Sequence, residues 1–465
     1  MNDAELGPPK GHSRNKSSLS RCESLVTVLN WGHGANRHGR DPRRKDHLTQ
    51  TSQYGRSILT AALCTKQPNS DPSTSPPTPE PSRQLPLRVP SQARSATASP
   101  APQIGEPRPK DFSFLLRPEI YHPLTPLNVP AAFRNSPKQP DAAAPVEELL
   151  AKGHFRAAAI AAVQELTGTG SRGIVDATDS QRIFDLLYTR LVCLTLVDAT
   201  PLAAQEVKAL EDLSDPRRYV DARTGEHLVP WDLRVLSVRL QALGFGDPRR
   251  AVMSYHDLAR EARRQAGRAD RRQDAAACAL WKDRLHGLGV KVAGALIDMD
   301  DLSGAAQHLA SLRDRGDGKI ALSRALLWLH LGDVKEARAC AAQCSESVAE
   351  TEKLISALCD MADGEYASAL DTWQALRESR AEDEMVGVNT AVCLLYLGRL
   401  QEGRDILESL VQSGFSSHTL LFNLCTMYEL CTEKNRSLKT KLADRVAAMD
   451  ESPAGWEKMN ADFKL

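Results

Sequence analysis

Small residues recur at a fixed interval along the C-terminal part of the chain. Ala293, Ala325, Ala357 and Ala391 are spaced 32, 32 and 34 apart, and Cys425 follows after a further 34. A small side chain on one helix lets a second helix pack closely, so a ladder of them at this spacing predicts stacked helical hairpins. Two further registers run in step. Tight turns are predicted at 299–302, 331–334, 363–366 and 397–400, each followed by another small residue, Ala305, Ala337, Ala369 or Gly403, where the returning helix passes the outgoing one. Large residues come next at Leu309, Trp373 and Leu407. One more period beyond Gly398, the frame places a fifth turn at Thr432, with Ser437 in its small slot and Tyr428 in its bulky slot.

Upstream the pattern loosens. Gly246-Asp247-Pro248 precedes Ala251 and Tyr255, Gly153-His154-Phe155 precedes Ala158 and Ala162, and Asp198-Ala199-Thr200-Pro201 offers a third turn, its proline suited to the first turn of a helix. The longer intervals imply insertions at 216–230, where Pro230-Trp231 marks a helix start, and at 263–274. The second is a run of mixed charge, expected to be an extended, solvated helix or loop. Four segments follow: a basic Pro/Ser-rich tail at 1–110, an arm at 111–140, helical repeats at 141–450 and a C-terminal tail at 451–465. The N-terminal tail holds too few apolar residues to offset the entropy of ordering it, and disorder is expected. In the arm Phe112, Phe114, Tyr121 and Phe133 supply apolar bulk while Pro118, Pro123, Pro126 and Pro130 prevent a long helix. It reads as an extended strap that either caps the first repeats of its own chain or docks on another protein.

Composition agrees with Ala- and Leu-rich helices: hydrophobic residues make up 42% of the chain and aromatics only 5%. The 59 basic and 59 acidic residues balance, yet the tail at 1–110 is basic and the repeats correspondingly acidic. A basic tail of this kind is expected to be solvated, and no nucleic-acid partner is implied. Apolar stretches fall far short of the ~18 residues of a membrane span, and no secretory start is present, so a soluble cytosolic chain is expected. None of the ten cysteines forms a C-x-x-C pair. Cys340 and Cys344 lie one helical turn apart without companions at zinc-ligand spacing, while Cys359, Cys393 and Cys425 read as reduced core thiols. With no phosphate-cradling loop, H-E-x-x-H or Gly-x-Ser-x-Gly, no catalytic, cofactor or metal site is expected.

The period of 32–34 matches the tetratricopeptide repeat, a helix, turn and helix with two small positions. The expected fold is thus all-α, a tetratricopeptide-like α-solenoid of antiparallel helix pairs, with a plain α–α bundle as the alternative. Asn389 and Asn423 fall where this repeat often carries Asn. Val388–Leu400 (VNTAVCLLYLGRL) and Leu421–Leu430 (LFNLCTMYEL), with Phe155–Ala159 (FRAAA) near the start of the repeats, resemble the subunit 12 family of the TRAPP vesicle-trafficking complex. The resemblance covers residues 145–448. It implies a non-catalytic scaffold subunit of a tethering assembly that activates Rab GTPases in traffic between endoplasmic reticulum and Golgi and in autophagy. Other TRAPP subunits, the large peripheral ones above all, would be direct partners. Rab and membrane contact would be indirect, at Golgi and intermediate membranes.

A solenoid offers a surface lined by first helices, on which a segment of a partner can lie. Leu322, Leu354, Val388 and Phe422 each fall three positions before their rung and form a candidate apolar stripe, with Leu358, Thr426 and Glu429 as further contacts. The alternatives are that most of the stripe packs inside, that the chain is a chaperone adaptor gripping an acidic peptide, or that an insertion hides an enzymatic site. An adaptor needs Lys or Arg beside its Asn residues, and the matching slots here are largely apolar.

Overall fold

The protein is described by a computed structural model over residues 109–170, 173–312, 319–342, 349–380 and 383–465. The segment expected to be disordered lies, through residue 108, outside the described residues, as does Cys344. Apart from an isolated bridge between Val220 and His227, the regular structure of the described residues is helical. The N-terminal half carries α1 (Ala131–Arg134), α2 (Val146–Ala151), α3 (Phe155–Thr167), α4 (Ser180–Leu196), α5 (Thr200–Glu206), α6 (Pro216–Tyr219) and α7 (Trp231–Phe245). A long hairpin follows, α8 (Pro248–Arg271) and α9 (Ala275–Asp298). It accommodates the expected charged insertion as a continuation of α8. The regular pairs come next: α10 (Leu302–Ser311), α11 (Lys319–Leu331) with α12 (Val334–Ala341), α13 (Ala349–Asp363) with α14 (Tyr366–Ser379), α15 (Glu384–Tyr396) with α16 (Leu400–Gln412), and α17 (His418–Cys431) with α18 (Asn435–Ala448).

One turn chemistry joins most pairs. At Gly332, Gly364 and Gly398 the backbone is left-handed, with φ of 79°, 85° and 77°, and Asp300 takes the same conformation at 61°. The amide of the left-handed residue and the one after it bond back into the preceding helix, as Gly332 N to Leu329 O (3.1 Å) and Asp333 N to Trp328 O (2.9 Å), which satisfies carbonyls the helix end would leave bare. Asp301 and Asp333 then cap the following helix through their carboxylates. The expected fifth turn departs from this. Thr432 is extended at φ −159° and Ser437 is exposed, because no Gly, Asp or Asn stands at 432 to take the left-handed conformation and the frame is lost there.

The ladder lies inside. Ala293, Ala325, Ala357, Ala391 and Cys425 are buried, as are Ala305, Ala337, Ala369 and Gly403. At Gly403 the reason for smallness is direct: a β-carbon would sit 2.9 Å from the carbonyl oxygen of Ala391, a rung of the ladder. Leu309, Trp373 and Leu407 fill the core beside these contacts.

The arm is not wholly extended. It contains two 3-10 turns, Ser113–Leu115 and Pro118–Ile120, before α1. Phe112 and Leu115 join the core of the N-terminal half, with Phe112 edge-on to Phe184 at 4.9 Å, whereas Val129 and Phe133 join the core of the C-terminal half. One strap thus reaches both ends of the solenoid in its own chain.

Candidate functional site

The candidate stripe does not form one free surface. Leu354, Leu358 and Val388 are buried in the core, and Leu322 is half-buried against it. The correction has a packing cause. Helix α15 lies between α14, α16 and α17 and is buried on every side from Glu384 to Leu394, so position 388 has no solvent face to offer. Asn389 is fully buried there, and neither side-chain nitrogen nor oxygen finds a hydrogen-bond partner among the described residues.

Phe422, Thr426 and Glu429, by contrast, share one face of α17, and the chain covers it with its own C-terminal segment. That segment ends in a 3-10 turn, Asn460–Phe463, with Phe463 buried. Lys464 stands over the Phe422 ring, its Nζ 5.0 Å from the centroid, donates to Thr426 Oγ1 at 3.2 Å and pairs with Glu429. Lys439 of α18, a buried cation, donates to Glu429 Oε1 at 2.6 Å. Asp462 meets His418 Nδ1 at 2.5 Å. Burial alone would raise the Glu429 carboxyl, but the hydrogen bonds from Lys439 and Lys464 outweigh it and hold the group below the usual carboxylate range. Residues 451–465, the C-terminal tail of the sequence, lie on the site as a strap.

The strap also closes the solenoid. Trp456 is buried between the two ends: Phe133 of the arm lies edge-on at 5.2 Å, His154 at 5.2 Å, and its indole N–H donates to Ala447 O. Its backbone amide donates to Gly153 O at 3.1 Å, and Arg156 pairs with Glu457 at 2.6 Å. Gly153 is left-handed at φ 74°, and a β-carbon on it would fall 2.2 Å from Ser452 O. Asn460 N completes the junction on Asn128 O at 2.7 Å.

Two residues that carry the N-terminal half were not singled out in the sequence. Arg190 and Glu206 are both buried and paired through two bonds, Nη2 to Oε1 at 2.6 Å and Nε to Oε2 at 2.9 Å. Arg190 also donates to Ala159 O on α3 and His122 O in the arm. His122 N in turn donates to Glu206. The available signal was a lone cation in the apolar run from Leu186 to Leu196.

Burial pushes the thiols of Cys193, Cys393 and Cys425 up to about 12 and that of Cys359 up to about 11, which keeps them protonated and unreactive at neutral pH. No group of His, Cys, Asp and Glu among the described residues is arranged to hold a metal, and no described helix is long and apolar enough to cross a membrane.

No family model matches the chain. Trafficking protein particle complex subunit 12 from Homo sapiens is 24% identical over 345 residues, 66% of this chain and 46% of that protein. The Mus musculus protein of the same name is 24% identical over the same length, 66% of this chain and 43% of its own. The chain therefore spans less than half the length of these curated relatives. Among solved structures, a tetratricopeptide repeat protein from Parabacteroides merdae matches with 13% identity, 56% of this chain, 92% of that chain and a TM-score of 0.34. The P58(IPK) TPR domain matches with 14% identity, 66%, 93% and 0.21. By its repeat register and its sequence, this chain is a tetratricopeptide-like helical protein similar to subunit 12 of the trafficking protein particle complex.

Proposed function

We propose that the chain is a non-catalytic scaffold subunit of a TRAPP vesicle-tethering complex, joining other subunits of that assembly in endoplasmic reticulum–Golgi transport and autophagy. The observation that carries this reading is the 345-residue similarity to two subunit 12 proteins. The large peripheral subunits are its direct partners, Rab GTPases are reached only through the assembly, and the chain works in the cytoplasm at the surface of Golgi and intermediate membranes. The face offered to a neighbouring subunit comprises Phe422, Thr426 and Glu429 together with the Lys464 that lies on them. The chaperone-adaptor alternative fits this face poorly. Its central side chain is a carboxylate already matched to a lysine, the reverse of a clamp for an acidic peptide, and Asn389 is buried out of a peptide's reach.

Affinity purification of the tagged full chain under detergent-free conditions should recover TRAPP core and peripheral subunits. Recovery of Hsp70 or Hsp90 without them would overturn the reading. Phe422→Asp should reduce that recovery while leaving helical circular dichroism unchanged. Undiminished recovery would remove Phe422 from the interface.

A further inference from the structure

A second surface, remote in sequence from the strap, lies at the turn between α7 and α8. Leu243, Phe245 and Met253 are 52%, 51% and 67% exposed there, three large apolar side chains close together in sequence. Scattered singly, such residues need no explanation, but a group on one projection does. The turn is anchored where Gly244 packs against the Ala204 backbone of α5, but a β-carbon on Gly246 would meet nothing within 4 Å, so its end is open. Cations ring it. Lys208 Nζ lies 5.1 Å from the Phe245 centroid and the Arg250 guanidinium carbon 4.7 Å.

The charge continues along α8, which holds seven arginines against three carboxylates. Two of those carboxylates are already engaged, Asp257 by Arg260 and Glu261 by Arg234 of α7 at 2.9 Å. Arg249, Arg263, Arg264 and Arg268 are exposed and make no ion pair with the described residues. Arg249, Met253, Arg260, Arg264 and Arg271 fall at helical spacing on one face of α8, a strip whose first turn also carries the Arg250 that lies beside Phe245.

We propose that this strip binds the surface of an anionic phospholipid bilayer, with Leu243, Phe245 and Met253 entering the interface and the arginines meeting lipid phosphates. Aromatic and long apolar side chains gain by leaving water at the headgroup level, and each cation near the surface adds attraction to anionic lipid. An acidic peptide would need a groove, whereas these apolar side chains are exposed at a turn. A nucleic-acid backbone would match the arginines and leave the apolar tip unused. The inference does not depend on membership of a TRAPP complex, since it concerns the isolated chain.

The full chain should sediment with phosphatidylcholine vesicles containing about 30 mol% phosphatidylserine and not with phosphatidylcholine alone. Arg249→Glu with Arg250→Glu should weaken binding at least about tenfold. Phe245→Ser with Met253→Ser should weaken it by a similar factor. In Phe245→Trp the added tryptophan emission, taken as the difference from the unaltered chain, should shift to the blue on mixing with the anionic vesicles. Absence of binding to them overturns the proposal, as does unchanged affinity in both double variants, which would assign the binding to another part of the chain. Loss on charge reversal alone, with no blue shift, overturns it, since the apolar side chains would then not enter the bilayer.

Discussion

From Ala275 to Cys431 buried small residues recur at a fixed period, from Ala293 to Cys425, whereas between Val146 and Phe245 the buried small residues, Ala158, Ala162 and Ala203 among them, keep no period. There the elements share an apolar core crossed by one buried ion pair, Arg190 with Glu206, that reaches α3, α4, α5 and the arm at once. A periodic contact distributes its stabilisation over many equivalent sites. A polar hub concentrates it in one. The first half should therefore fail abruptly on a single substitution, and the second by degrees.

The largest expected effect breaks the hub. Arg190→Ala strands a buried carboxylate and should cost about 3–5 kcal/mol in chemical denaturation, while Arg190→Met combined with Glu206→Leu should recover most of it. A single variant as stable as the unaltered chain would show that the hub is dispensable. Next, Ala357→Trp overpacks one rung and should cost about 1–3 kcal/mol, with the loss of hydrogen-exchange protection concentrated in α13 and α14. Protection lost equally throughout the chain would erase the contrast between the halves. A smaller change tests the joint between them. Gly153→Ala places a β-carbon where φ is positive and Ser452 O is too close, at about 1–2 kcal/mol, and should expose 451–463 to limited proteolysis while both halves keep their helicity. The least effect is that of pH. The Glu429 carboxyl is depressed in the folded chain, so its contribution is complete above the ordinary Glu value of about 4.3 and is lost as pH falls through the lower folded value. Exchange protection at 460–464 should hold at about pH 5 and decline as pH falls below the ordinary Glu value, and Glu429→Gln should reduce that dependence.

Much of the C-terminal half is legible in the sequence because its constraint is periodic: a position that must be small in one pair must be small in the next. The frame ends at Thr432, where no residue suited to a left-handed turn follows. The site is less legible. Spacing assigns Leu354, Val388 and Phe422 equivalent places in their units, yet only the last helix lacks a neighbouring pair on its far side, and Phe422 alone of the three keeps an accessible face. The docking of the C-terminal strap, 451–465, could not be read at all. Trp456, Gly153 and Phe133 each look ordinary in their local context, and what makes them a junction is proximity between the two ends of the helical region.

That separation has a kinetic meaning. Helical pairs of neighbours form from local contacts, but the junction of Trp456 with Gly153 and Phe133 closes loops of 303 and 323 residues, and loop closure of this kind slows folding. During synthesis at about 5–20 residues per second, the apolar patch around Phe133 waits on the order of 15–60 seconds for residue 456 to emerge. Until then this surface lacks the indole that covers it in the finished fold.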